Sequence, residues 1–322
     1  MTVFKSLHPD MPIGVFDSGI GGLTVAREIM RQMPNERIVY FGDTARVPYG
    51  SKSRETVTRY SRQIVRFLLE QKVKAVAIAC NTASAYALPE IEKECPVPVI
   101  GVIRPGARTA TACTRNGRIG VIGTRATISS GTYKEYIRQI MPQAEVFGQA
   151  CPLFVPLVEE GLWEDPVTDE IARRYMASLL DSRIDTLIMG CTHYPLIRRT
   201  IGRAAGENVA LINPAYETAM ELRRMLTSMD LLSTHRQELG SGEPQYRFYV
   251  SDMAGQFRQF ANSIIKYGIL AAEKIDIHNY SGAPLREEES GSRSDADAPL
   301  REEESGNRSD ADAPLRGEEA GL

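Results

Sequence analysis

Nowhere does this 322-residue sequence string together the ~20 apolar side chains that a membrane-crossing helix needs. Its amino terminus, MTVFKSLHPDMP, has neither an apolar h-region nor a small-residue cleavage site, so the chain reads as cytoplasmic. Cysteine is scarce: five residues, at 80, 95, 113, 151 and 191, form no CxxC pair, which argues against a disulfide framework, structural zinc or a dithiol redox motif. Histidine is scarcer, at four. The formal net charge of −3 gives no reason to expect a nucleic acid or membrane partner.

Charge is unevenly placed. Residues 281–322 hold twelve acidic and five basic side chains, leaving the rest of the chain mildly basic. In that segment SDADAPLREEESG(S/N)R recurs, with prolines at 284, 299 and 314 and no aromatic residue, a composition that reads as a disordered acidic tail. The remainder has ordinary apolar content and the length for two α/β halves.

The chain is organised around residues 74–84, KAVAIACNTAS. An apolar run from Ala75 to Ala79 stops at Cys80, followed by Asn81, Thr82 and Ser84, the pattern of a buried parallel strand whose carboxyl end opens into a polar site. Residues 185–195, DTLIMGCTHYP, repeat the design 111 positions later, the apolar run ending at Gly190, Cys191, Thr192 and His193. Upstream, a strand over 13–16 leads through DSGIGG (17–22) into a helix over 23–32. That turn suits a small carboxylate held by backbone N–H groups, or else Asp17 or Ser18 caps the helix. It lacks GxGxxG and the P-loop lysine, which argues against a nucleotide. A strand over 38–41 follows, then an amphipathic helix over about 55–71 with Val57, Tyr60, Ile64, Phe67 and Leu68 on one face. A strand over 73–79, a helical stretch over 82–93 that Pro89 kinks or restarts, and a strand over 97–102 complete the series.

From Arg118 the order begins again: IGVIGT at 119 answers IGVFDS at 13, 145–147 answers 38–41, and 209–212 answers 97–100. Such a repeat predicts an α/β fold of two pseudosymmetric, doubly wound domains with mainly parallel sheets and the active site in the cleft between them. A helix over 217–225, a strand over 246–250 and a helix over 253–267 are expected to pack back on the first half. The domains are then 1–103 plus 213–280, and 104–212, with 281–322 as the tail.

Free cysteine is often a buried small hydrophobe, and Cys95, Cys113 and Cys151 read as structural or incidental. Cys80 and Cys191 each stand where a strand gives way to a helix start, a place that favours thiolate. A Cys-His hydrolase would use one of them with His193, although two residues along a chain seldom give that geometry. A metal site of Cys80, Cys191 and His193 lacks further ligands at suitable spacing. Acid–base work on a carbon acid uses both: one thiolate removes a proton from one face of a centre and the opposite thiol returns one to the other. A thiol suits that work because its reference pKa, about 8.5, can be drawn toward neutrality by local donors.

The set DSGIGGLTV (17–25), GDTARVPYG (42–50), ACNTAS (79–84), GVIRPGA (101–107), IGTRAT (122–127), CPLFVPLVEEG (151–161) and MGCTHYP (189–195) resembles bacterial glutamate racemase over roughly residues 12–268. The resemblance implies a cofactor-independent isomerase that interconverts L- and D-glutamate for peptidoglycan, commonly as a homodimer. Carried over by position, it makes Cys80 the base for D-glutamate and Cys191 the base for L-glutamate, assisted by Asp17 and His193 respectively. It places Asp17, Ser18, Tyr49, Gly50, Asn81, Thr82, Thr124, Thr127, Thr192 and His193 at the substrate. On the residues alone, Asp17 reads as a helix cap and His193 as a histidine near a helix start. Asp43 and Glu159 are polar candidates for the cleft, its loops or the surface. Arg104 departs from the family's pattern, which often has Glu before Pro-Gly-Ala.

Two other readings stand beside this one. Another amino-acid racemase of the superfamily, such as one for aspartate, differs only in substrate. A binding or regulatory protein acting through its acidic tail would tolerate loss of both cysteines and fail on deletion of 281–322, whereas the racemase reading expects that deletion to leave activity nearly unchanged.

Overall fold

The computed structural model describes residues 7–234, 245–265, 271–282 and 285. The chain divides into a unit ending at Arg286 and a second, Glu287–Leu322; the second lies outside the described residues, and with it most of the segment read as a tail.

Strand and helix alternate from the start: β1 (Ile13–Asp17), α1 (Leu23–Gln32), β2 (Ile38–Gly42), α2 (Arg54–Glu70), β3 (Ala75–Ile78), α3 (Asn81–Tyr86), α4 (Leu88–Glu94) and β4 (Val99–Gly101). A second series follows: α5 (Ile103–Cys113), β5 (Arg118–Gly123), α6 (Arg125–Ser129), α7 (Thr132–Ile140), β6 (Glu145–Ala150), α8 (Phe154–Glu159), α9 (Pro166–Asp181), β7 (Thr186–Gly190), α10 (Arg198–Ala205), β8 (Ala210–Ile212) and α11 (Pro214–Ser228). β9 (Tyr246–Val250), α12 (Ala254–Ile264) and β10 (Glu273–Lys274) close the described chain.

Local chemistry accounts for the boundaries. Ser53 caps α2 by accepting from Thr56 N–H, and the helix buries Val57, Ile64, Phe67 and Leu68. Tyr60, expected on that buried face, is only partly buried and carries the Arg46 guanidinium on its ring. The helical stretch after Cys80 breaks at Ala87, and Pro89 sits in the first turn of α4, where its missing N–H costs no helical bond. β3 starts with the apolar run at Ala75 and is shorter than the strand expected over 73–79; Lys74, just before it, is held in a buried ion pair with Glu36 at 2.6 Å.

All strand neighbours are parallel. One sheet has the order β10-β9-β2-β1-β3-β4 and the other β6-β5-β7-β8. The repeat seen in the sequence therefore returns as topology, since β2-β1-β3-β4 and β6-β5-β7-β8 are the same order. Ile13 stands opposite Ile38 and Ala75; its counterpart Ile119 stands opposite Val146 and Thr186. β9 joins the first sheet beside β2, so the chain after Tyr216 does pack back on the first half.

β1, β2, β3 and β7 are buried throughout, which is why they read as unbroken apolar runs. One apolar cluster takes Ile13 and Val15 from the first sheet, Val121 and Ile188 from the second, and Leu23, Ala107 and Leu222 from α1, α5 and α11. On α5, Arg104 pairs with Glu92 of α4 at 2.6 Å and donates to the Tyr136 hydroxyl of α7 at 2.8 Å, tying the two series together. Among the described residues no helix is long and apolar enough to cross a membrane.

Topology fixes where a site can form. After β1 the chain goes to one side for β2 and to the other for β3, and after β5 it does the same for β6 and β7. In a parallel sheet the crevice at such a switch point, outside the carboxyl ends of the strands, is where ligands bind. Asp17 ends β1 and Ser18 follows it, Cys80 follows β3, Thr124 follows β5 and Cys191 follows β7.

Candidate active site

These four strand ends surround one cavity of about 330 Å³, a size suited to a small ligand. Its wall carries both Cys80 and Cys191, with Ser18, Tyr49, Gly50, Asn81, Thr82, Thr124, Thr192 and His193. Asp17 and Thr127 do not reach the wall; both are buried behind it.

Cys80 is the cap of α3, its Sγ accepting from Ala83 N–H at 3.4 Å, with the Ser18 hydroxyl at 3.6 Å. These contacts do not bring it toward neutrality, as local donors were expected to do. Burial pushes the Cys80 thiol up to about 12, and the nearby Asp17 carboxylate adds to the rise. Asp17 does not cap α1, whose cap is Gly22. One of its oxygens accepts from Gly19 N–H at 3.0 Å, and the other has no hydrogen-bond partner among the described residues. Burial raises the Asp17 carboxyl, against the pull of His193 and of backbone N–H groups at Gly22, Gly19 and Ser18.

Cys191 is placed differently. A short 3-10 turn over Tyr194–Ile197 follows, and the thiol's partner is His193, with Sγ to Nδ1 at 3.8 Å. The other ring nitrogen of His193 lies 3.0 Å from the carboxylate of Glu159 at the end of α8. Burial alone would lower His193, but Cys191 and Glu159 outweigh it and hold the imidazole up at about 10. At neutral pH Cys191 therefore faces an imidazolium while Cys80 faces a carboxyl group.

Polar groups knit the two series around the cavity. The hydroxyls of Thr82, Thr124 and Thr127 lie within 3.0–3.2 Å of one another, joining the loops after β3 and β5. Tyr133 of α7 donates to Asn81 Oδ1 at 2.7 Å, and Thr24 of α1 donates to the Thr192 carbonyl at 2.9 Å. A methyl at Gly21 would fall 2.4 Å from Thr192 Oγ1 and 2.5 Å from the His193 ring, so glycine is what lets the loop after β1 lie against the loop after β7. Tyr49 gives its hydroxyl to Asp43, leaving its ring to the wall.

Two groups carry more here than their sequence positions suggested. Glu159, read as one polar candidate among several, is the partner of His193; no local spacing signals a contact across 34 residues. Cys151, read as structural or incidental, lines the cavity after β6, with Sγ 3.6 Å from the Gln149 carbonyl and its thiol raised by burial. Its signal was available, since CPLFVP occupies a third strand end of the repeat. Among the described residues no three His, Cys, Asp or Glu side chains gather as ligands for a metal ion.

Chemically, the arrangement can take a proton from one side of a small bound molecule and return one from another, with hydroxyls and amides left to receive its charged ends. Comparison with known proteins gives the family. The family model described as Asp/Glu/Hydantoin racemase matches residues 13–222. The chain is 48% identical over 257 residues to the glutamate racemase of Geobacter metallireducens, covering 80% of this chain and 93% of that protein. It is 52% identical over 255 residues to that of Neisseria meningitidis, covering 79% and 92%. A crystal structure of a glutamate racemase from Bacillus anthracis superposes with a TM-score of 0.79 at 39% identity, covering 84% of this chain and 98% of that one. A second, from Francisella tularensis in complex with D-glutamate, gives 0.77 at 38% identity, covering 84% and 100%.

Proposed function

The chain belongs to the Asp/Glu/hydantoin racemase family, and on that premise we propose that it interconverts L- and D-glutamate with Cys80 and Cys191 as the two acid–base groups. The observation that carries the mechanism is that the two thiols reach one cavity from equivalent strand ends of a repeated topology.

For L-glutamate, Cys191 as thiolate takes the Cα proton, His193 keeping a positive charge beside it. The electron pair passes into the substrate carboxylate as an enediolate-like species. Cys80, held as a thiol by burial, gives its proton to the opposite face, leaving D-glutamate, a Cys191 thiol and a Cys80 thiolate. The reverse reaction exchanges the roles. Charge growing on the carboxylate is met by preorganised donors, for which Ser18, Asn81, Thr82, Thr124 and Thr192 line the wall, and the small cavity excludes water. Asp17 and Thr127 act from behind it, Asp17 through its charge on Cys80 and Thr127 by fixing Thr82 and Thr124.

Changing Cys80 or Cys191 to Ala removes racemisation, a loss of at least ~10²-fold for an acid–base group. In deuterated solvent, Cys80→Ser exchanges the Cα proton of L-glutamate alone and Cys191→Ser that of D-glutamate alone, followed by proton NMR. Normal turnover by either alanine variant would sink the two-thiol mechanism. Running L-aspartate beside L-glutamate, with loss of optical activity as the readout, sets the substrate.

The division into domains at 1–103 plus 213–280, and 104–212, belongs to the same proposal; β1–β4, β9 and β10 share one sheet and β5–β8 the other. So do a cytoplasmic homodimer and a role supplying D-glutamate to peptidoglycan. Sedimentation tests the dimer and complementation of a D-glutamate auxotroph tests the role.

A further inference from the structure

Behind the cavity wall lies a buried polar network that the proton transfers leave without a part. Asp43, fully buried just after β2, accepts from three side chains, and the Arg46 Nε approaches both of its oxygens, at 2.9 and 2.8 Å. One oxygen also takes the Tyr49 hydroxyl, and the other takes the Ser251 hydroxyl at 2.8 Å. The Arg46 guanidinium lies 3.9 Å from the centre of the Tyr60 ring, and one of its terminal nitrogens donates to Gln63 of α2. Gln63 in turn donates to the Ser281 hydroxyl.

The network ends on the loop that closes the cavity. Val47, Pro48, Tyr49, Gly50 and Ser51 all line it, and Gly50 packs so closely on Thr124 that a methyl there would lie 2.7 Å from Thr124 Cβ. The carboxylate that grips Tyr49 thus sets how the loop meets the second series. That carboxylate, wholly out of water, needs a counter-charge, and Arg46 supplies it through Nε while a terminal nitrogen reaches Gln63, a spread that the single nitrogen of a lysine does not reproduce.

We infer that Arg46 is a positioning residue for the racemisation: through Asp43 and Tyr49 it fixes the 47–51 wall against Thr124, and so sets substrate enclosure while touching neither thiol. This rests on the racemase reading. The side chain acts on binding common to substrate and transition state, so its loss raises KM with little change in kcat.

The test is steady-state racemisation of glutamate in both directions by the full chain and by Arg46→Met, Arg46→Lys, Tyr49→Phe and the double variant Arg46→Met/Tyr49→Phe, with thermal melts alongside. Arg46→Met raises KM roughly tenfold with kcat within about threefold. In the Tyr49→Phe background the same change adds less than about twofold in KM, because the route to the wall is already cut, while its effect on melting persists. Should Arg46→Met not fold, Arg46→Lys keeps the charge without spanning Asp43 and Gln63, and a raised KM there supports the role. Multiplicative KM effects in the double variant, or a fall in kcat at constant KM, would overturn it. A wild-type chain that leaves glutamate's optical activity unchanged defeats the racemase reading instead, so the two failures are distinct.

Discussion

The two thiols hold the same position in a repeated topology, yet their surroundings differ. Cys80 accepts from an N–H and donates to a hydroxyl but is pushed up by burial and a carboxylate; Cys191 stands beside a histidine that the thiol itself and a second carboxylate hold up. In the proposed mechanism this asymmetry favours one direction, with Cys80 as acid and the Cys191 side carrying the positive charge. Glu159 is the handle on that bias. Glu159→Gln removes one of the two influences that raise His193, so the imidazolium is lost at lower pH and the basic limb of kcat/KM for L-glutamate moves to lower pH. Stability follows with a definite sign. His193 is raised from 6.5 to about 10, so its contribution is complete below 6.5 and disappears as pH rises through about 10. Melting temperature measured across that window should fall less steeply in Glu159→Gln than in the wild type; parallel curves would show that the ion pair is not what sustains His193.

The loops after β1, β3, β5 and β7 form the site only because each is pinned to another. Gly21 is the tightest of these contacts. Gly21→Ala forces Thr192 and the His193 ring to move by an ångström or more, a displacement that costs about 10²-fold when it misaligns a reacting group. The outcome to measure is a large fall in kcat/KM by circular dichroism with a thermal midpoint only a few degrees lower, since the clash is with side chains at a cavity rim. Unchanged kinetics would mean that the two loops can part without cost. At this scale the sequence was most legible. Cys80, Asn81, Thr82 and Cys191 were readable because apolar strands that are buried on both faces stop abruptly at polar loops, and the repeat said which loops correspond. What could not be read were partners brought by packing: Glu159 to His193, Tyr133 to Asn81, and Gln63, Ser251 and Ser281 to the Asp43–Arg46 pair. Nor does the sequence show what sets the Cys80 thiol, because donors are visible along a chain and the depth of burial is not.

For the whole molecule, the question is where the working chain ends. Composition put the change of character at Ser281, but Ser281 receives Gln63, Arg66 donates to the carbonyls of Tyr280 and Gly282 at 2.9 and 3.0 Å, and Leu285 is buried in the cluster with Phe67. The Tyr280 ring meets Phe67 edge-on at 5.4 Å, and Ile277 is buried beside them. A cut after Arg286 spares all of these contacts and should leave racemisation within about twofold, since the whole cavity wall lies before it. A cut after Asp276 strips Ile277 and Leu285 from the core, worth about 3–6 kcal/mol at 1.5–3 kcal/mol for each buried side chain. Against the 5–15 kcal/mol that holds a typical domain together, that loss should lower the melting temperature by roughly 10 °C or more. It also removes the Ser281 anchor of Gln63, so the shorter chain should show a raised KM at temperatures where it is still folded. If the chain cut after Asp276 melts and turns over like the full chain, the segment against α2 contributes nothing, and the boundary read from composition at Ser281 was the functional one.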